Sequence, residues 1–254
     1  MVKPKKYLGQ HFLHDKNIAK KIVGLICPAN TIIEVGAGTG ALSQLIYEQF
    51  NEKAFFYEID KESMEFLKEN VLIPEGQLFL QDFLSADLSS HLSPIHIVGN
   101  FPYNISSQLF FKILDHYSQI QQVICMVQKE VAQRIAAQHG SKTYGILSVF
   151  IQTFYDVKYH FQVNESAFIP PPKVKSAVIE LVHKKELRLP CDENLFKKIV
   201  KTAFNQRRKI LSNSLQTIVS KQLIPLEYAS MRPEMLSVND FLNLTEFFYQ
   251  NNVR

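Results

Sequence analysis

Asn100-Phe101-Pro102-Tyr103 places a carboxamide, a backbone carbonyl followed by proline, and an aromatic ring within four residues. That set suits the exocyclic amine of a nucleobase. The lone pair of such an amine is delocalised into its ring, so it attacks poorly until it is drawn toward sp³ geometry. Two acceptors that take hydrogen bonds from its two N–H groups do this, and the Asn100 side-chain oxygen and the Phe101 carbonyl are the candidates. Pro102 stiffens the turn. Tyr103 offers a face for stacking, which is worth about 1–3 kcal/mol per base. Phe168, ahead of Pro170-Pro171-Pro172, is the candidate for the opposite wall of a base pocket.

A second constellation lies upstream. Glu34-Val35-Gly36-Ala37-Gly38-Thr39-Gly40 follows an apolar run and opens a helical pattern, so backbone amides can approach a ligand where glycine carries no Cβ. The spacing is GxGxG rather than the GxGxxG that seats a dinucleotide pyrophosphate, which favours a cofactor without one. Glu58 lies 22 residues beyond Gly36, at the end of the next strand, where an acid holds ribose hydroxyls. Asp82 and Asn100 end the third and fourth strands. Singly, these residues read as a solvated carboxylate, a helix cap and a turn. Together they converge on the crevice at the carboxyl ends of parallel strands. A sulfonium donor, S-adenosylmethionine, fits this loop beside an amine acceptor. Its leaving group is already good, so positioning and charge complementarity carry the transfer and no general base is required beforehand.

The elements that must position these residues alternate. Strands are expected at Thr31 to Val35, Ala54 to Ile59, Gln77 to Gln81, Ile95 to Val98 and Val123 to Val127. Helices are expected at Ala41 to Phe50, Lys61 to Asn70, Ser107 to His116 and Lys129 to Gln138. An earlier helix opens at Asp15, a capping residue, and stops by Pro28. This order implies an α/β fold, a Rossmann-like seven-stranded mixed sheet. Two alternating runs, 146 to 161 and 174 to 183, read as an antiparallel pair closing it. From residue 187 the pattern turns helical and basic, over 194 to 219 and 238 to 250, so the expected domains are 1–186, catalytic, and 187–254, a small helical domain that contacts RNA.

With 254 residues, 46% of them hydrophobic, the chain can bury a full core. It contains no 18-residue apolar run to span a membrane and no leader pattern. Cys27, Cys125 and Cys191 lack metal spacing and read as reduced cytoplasmic thiols. The net charge is +4, but it is divided unevenly. Residues 1 to 21 carry about +5, residues 184 to 209 (Arg188 among them) about +6, and the remainder is acidic. Two basic clusters flanking an acidic centre point to nucleic acid, with Lys5, Lys6, Arg207, Arg208 and Lys209 as candidate phosphate contacts.

These motifs resemble the KsgA/RsmA family of small-subunit ribosomal RNA adenine N6,N6-dimethyltransferases over essentially the whole length. The matching segments are Lys6 to Leu13, Glu34 to Gly40, Glu58-Ile59-Asp60, Gln81-Asp82-Phe83, Asn100 to Ser106, Phe168 to Ser176 and Ala203 to Leu211. The resemblance implies dimethylation of two adjacent adenosines in a stem-loop near the 3′ end of small-subunit rRNA, within an assembling 30S-type subunit. By carry-over, His11 and Leu13 border the methionine end of the donor, Gly36 lies under it and Gly38 beside it. Glu58 holds the ribose and Asp82 the adenine amine, while Asn100 bridges donor and target. Tyr103 and Phe168 sandwich the target base. A monomer without metal is expected, working in the cytoplasm.

Three other readings compete. Antibiotic-resistance methyltransferases act on large-subunit rRNA with the same fold and box, but Ala203 to Lys209 and Arg232 to Leu236 resemble the small-subunit family. A nicotinamide dehydrogenase would account for the glycine loop and Glu58 but not for Asn100 to Tyr103 or the basic ends. A non-catalytic RNA-binding assembly factor would have no need of intact Asn100, Glu58 and Asp82.

Overall fold

The structure is a computed structural model and describes residues 2–185, 189 and 192–253. Arg188, Cys191 and the expected boundary at 186 lie outside the described residues or at their edge. In chain order the elements are β1 (Phe12–Leu13), α1 (Lys16–Val23), β2 (Thr31–Val35), α2 (Ser43–Phe50), β3 (Ala54–Glu58), α3 (Lys61–Asn70), β4 (Leu78–Leu80), β5 (Ile95–Asn100), α4 (Ser106–Asp115) and β6 (Ile120–Gln128). They continue with α5 (Lys129–Ile135), α6 (Ile146–Phe154), β7 (Tyr155–Val163), β8 (Phe168–Ile169), β9 (Ser176–His183), α7 (Glu193–Asn205), α8 (Leu211–Ser214), α9 (Leu226–Ala229) and α10 (Val238–Gln250).

The seven-stranded sheet has the order β4-β3-β2-β5-β6-β9-β7. Strands β4, β3, β2, β5 and β6 run parallel, and β9 pairs antiparallel with β6. Every residue of β2 is buried, as expected for a central parallel strand covered on both sides. Ile22 of α1, Ile46 of α2 and Leu67 of α3 share one core with Ile32 and Phe56. Of these helices α1 and α3 start at a capping carboxylate, whereas α2 has no side-chain cap. Asp15 accepts from the Asn17 and Ile18 amides, and Asp60 from Glu62.

Two expectations are corrected. The run from 146 is not a strand until Tyr155. Ile146–Phe154 is a helix whose Leu147, Val149, Phe150, Ile151 and Phe154 are all buried. Because Ser148 and Thr153 are buried with them, a segment this short that runs straight into β7 does not separate from a strand by pattern alone. The helix expected over 194 to 219 ends at Asn205, because Gln206 leaves helical backbone at φ −117°, ψ 40°.

The chain divides into two compact units. One is Met1–Ala132 with Asp156–His183, and the other is Gln133–Tyr155 with Lys184–Arg254. The second unit therefore takes in α6 as well as the tail. No helix among the described residues is long and apolar enough to cross a membrane, and among them no group of three or more His, Cys, Asp or Glu is placed to hold a metal ion.

Candidate active site

Parallel register sets the ends of β2, β3, β4 and β5 side by side. Val35 faces Tyr57, Glu58 faces Leu80, and Glu34 faces Val98. The residues that follow these ends line one cleft with about 930 Å³ of open space. Gly36, Gly38, Glu58, Asp82, Asn100, Phe101, Pro102 and Tyr103 all meet there, together with His11.

Glu58 is 5% exposed. Its Oε2 accepts the Gly38 N–H at 2.7 Å and its Oε1 accepts the Asp60 N–H at 2.8 Å. Burial pushes its carboxyl pKa up, against the pull of these backbone bonds. Each oxygen keeps a second lone-pair direction for a hydroxyl. Gly36 and Gly38 have φ of 76° and 56°, a region that costs other residues energy. A Cβ on Gly38 would stand 3.1 Å from the Phe12 ring. Asp82 also caps the turn after it, its Oδ1 accepting from Leu84 N–H at 2.9 Å, which leaves Oδ2 for a ligand.

At the other end of the cleft, Asn100 Nδ2 donates to the His11 carbonyl at 2.8 Å. That bond commits the amide nitrogen and leaves Oδ1 as the acceptor for a ligand. The Phe101 ring is 1% exposed and packs near Phe110, with centroids 5.8 Å apart, so it anchors the backbone whose carbonyl the box requires. The Tyr103 hydroxyl bonds to Ser176 Oγ. His11 stacks on the Tyr103 ring at 5.5 Å and 28°, and its Nδ1 lies 2.8 Å from the Pro170 carbonyl. An N–H must therefore sit on Nδ1 and donate to that carbonyl.

A family model described as ribosomal RNA adenine dimethylase matches residues 1–250. The chain belongs to this family. Among relatives of this dimethylase, a protein of Phocaeicola vulgatus named ribosomal RNA small subunit methyltransferase A is 50% identical over 96% of the chain and 89% of its own length. Proteins of the same name from Cytophaga hutchinsonii and Porphyromonas gingivalis are 47% and 43% identical over 96% and 98% of the chain and 96% and 99% of their own lengths. A dimethyladenosine transferase from Plasmodium falciparum superposes with a TM-score of 0.82 at 24% identity, covering 96% of this chain and 99% of that one. A 23S rRNA methyltransferase gives 0.69 at 21%, covering 92% and 99%. Both share the fold, so fold alone does not select the RNA.

Some expected residues of the dimethylase lie elsewhere. Leu13 and Phe168 do not line the cleft. They pair with each other across β1 and β8 and are 4% and 2% exposed in the core. Strand alternation turns them inward and leaves Phe12 to face the cleft. Lys5 is not a free cation but is bonded to Asp60. Lys6 is exposed on the same segment. Arg207 Nη2 donates to the Ser141 carbonyl at 3.3 Å and Nε lies 3.6 Å from Glu234, whereas Arg208 and Lys209 are exposed in the turn after α7. Those three belong to the second unit. Sequence reasoning missed Gln10 and Phe12 as cleft residues and Asp60 as a buried anchor. Gln10 and Phe12 stood inside a recognised motif, and Asp60 preceded a helical run as a cap would.

Proposed function

We propose that this dimethylase transfers methyl groups from S-adenosylmethionine to N6 of two adjacent adenosines in a stem-loop near the 3′ end of small-subunit rRNA. It acts as a monomer in the cytoplasm, on an assembling 30S-type subunit. The observation that carries the reading is the Asn100 amide, whose nitrogen is tied to the His11 carbonyl so that Oδ1 remains to accept, in a cleft lined also by Phe101 and the Glu58 carboxylate. The near full-length identity to proteins named for the small subunit supports the choice of RNA.

The residues present suit the donor. Glycines with positive φ line the crevice, and Glu58 and Asp82 each retain acceptor capacity for a ribose diol and an adenine amine. Bound there, S-adenosylmethionine supplies a sulfonium-activated methyl group whose leaving group is a neutral thioether. Asn100 Oδ1 and the Phe101 carbonyl accept hydrogen bonds from the two N6 hydrogens and orient the nitrogen lone pair. His11 braces one face of Tyr103, and the base stacks on the other. As the N–CH3 bond forms and the S–CH3 bond breaks, N6 becomes cationic and releases one proton to solvent. A single N6 hydrogen then remains, and one of the two acceptors suffices to hold the monomethylated amine for the second transfer.

The test is in vitro methylation of unmodified small subunits and of free rRNA, read by mass spectrometry of the nucleosides. Dimethyladenosine at two neighbouring positions, formed preferentially on the subunit, is the expected product. Methylation confined to large-subunit rRNA would overturn the assignment.

A further inference from the structure

The segment Leu8 to Phe12 forms one wall of the cleft, yet it contains little regular structure and must be held from outside. Asp60 holds it. This side chain is 3% exposed. Its Oδ1 pairs with Lys5 Nζ, and its Oδ2 accepts from Gln10 Nε2 at 3.1 Å and Ser63 Oγ at 2.9 Å. Gln10 closes the loop by accepting the Lys5 N–H at 2.8 Å. One step along the arm, the Lys3 N–H donates to Glu62 at 3.1 Å. The backbone N–H of Asp60 meanwhile holds the Glu58 carboxylate. One residue thus grips the arm with its side chain and the ribose-binding acid with its main chain. Burial opposes ionisation of Asp60, but the bonds from Lys5, Gln10 and Ser63 outweigh it and hold its pKa below the usual carboxylate range.

We infer that Asp60, with Lys5 and Gln10, is a positioning latch that keeps residues 5–12 closed over the methyl donor, so that donor affinity depends on the Lys5–Asp60 pair. This rests on the reading that the cleft takes S-adenosylmethionine. It assigns Lys5 a role distinct from phosphate contact, and it makes the basic start of the chain in part an internal device.

The test uses the full chain with Lys5→Met, Lys5→Arg and Asp60→Asn. S-adenosylmethionine binding is measured by calorimetry without RNA, beside steady-state constants for both substrates. Lys5→Met is expected to weaken donor binding and raise donor KM about tenfold, the scale of one charge-assisted bond. At saturating donor, which closes residues 5–12 again and returns His11 to Asn100 and Tyr103, kcat and the KM for RNA should recover to within about twofold. Lys5→Arg should restore most of the affinity. Asp60→Asn keeps one acceptor oxygen, enough for the α3 cap and Lys5, but loses the charge and turns an amide nitrogen toward Gln10 and Ser63. It should weaken donor binding at least as much as Lys5→Met. Wild-type donor affinity in Lys5→Met overturns the latch, as does a raised RNA KM with a flatter salt dependence and unchanged donor KM. Failure of the wild-type protein to bind the donor at all would instead overturn the cofactor reading beneath it.

Discussion

At the scale of single residues, Asn100 carries two separable duties. Its nitrogen ties down the His11 carbonyl, and on the proposed reading its oxygen meets the target amine. Asn100→Ala should lower single-turnover methyl transfer by about 100-fold or more, the scale for removing one aligned electrostatic partner. Subunit binding measured by filter retention should survive, because on the proposed reading docking rests on the exposed basic residues. Equal loss of both would contradict that division. Glu34 poses a different question. It is 1% exposed, and burial pushes its carboxyl pKa up to about 8, with Glu58 adding to the rise and the Ser43 hydroxyl working against it. A raised pKa in the folded state means that folded Glu34 binds a proton the unfolded chain releases near pH 4.5. Its contribution to stability is therefore complete below that point and is lost as pH rises toward 8. Urea midpoints at pH 5, 6, 7 and 8 should show Glu34→Gln gaining on the wild type across this window. The full swing would be on the order of a few kcal/mol. Parallel pH curves for the two proteins would show that Glu34 is ionised throughout.

At the scale of elements, the parallel part of the fold was legible because its strands are short apolar runs alternating with helical stretches. Lys61–Asn70 and Val238–Gln250 fall where the pattern put them, each opened by a capping acceptor, Asp60 and Ser237. The cleft was legible for the same reason: polar residues at successive strand ends have nowhere else to go. What the pattern concealed was decided by tertiary contact. Ile146–Phe154 is short, buried on nearly every side and continuous with β7, so its pattern did not separate from a strand's. Leu13 and Phe168 belong to a two-residue ladder that no local signal announces, and the inward turn of Phe168 removed it from the pocket. Gly99 is a further case, lying within β5 beyond Val98, where the expected strand ended. A Cβ there would lie 2.4 Å from the Val35 carbonyl oxygen, so glycine permits β5 to sit close against the loop that begins after β2. Gly99→Ala should force these strands apart and cost about 1–3 kcal/mol, seen as a lower thermal midpoint, with donor affinity reduced because Asn100 and Gly36 move with their strands. An unchanged midpoint would mean that the strands have slack the geometry denies.

At the scale of the whole molecule, charge separates into two roles that composition could not distinguish. Lys5 is consumed within the first unit, and Arg207 is half consumed within the second, where it joins Ser141 and Glu234. Arg208 and Lys209 are exposed beside it in the same turn. If the exposed pair contacts phosphate, each contact releases counterions, and log affinity falls with log salt by about 0.7 to 0.9 per contact. Replacing Arg208 and Lys209 with alanine should therefore reduce the slope for RNA or subunit binding by about 1.4 to 1.8, with the thermal midpoint unmoved. Arg207→Ala should behave in the opposite way. It removes a bond to a main-chain carbonyl and an ion pair at a half-exposed site, worth about 1 kcal/mol of stability, and should change the salt slope little. Titrations between low and physiological salt, run on the three proteins with a melting curve for each, separate the outcomes. A slope unchanged in the Arg208 and Lys209 double variant would remove that turn from the RNA surface and leave Lys6 and the other exposed lysines of the first unit to account for the affinity.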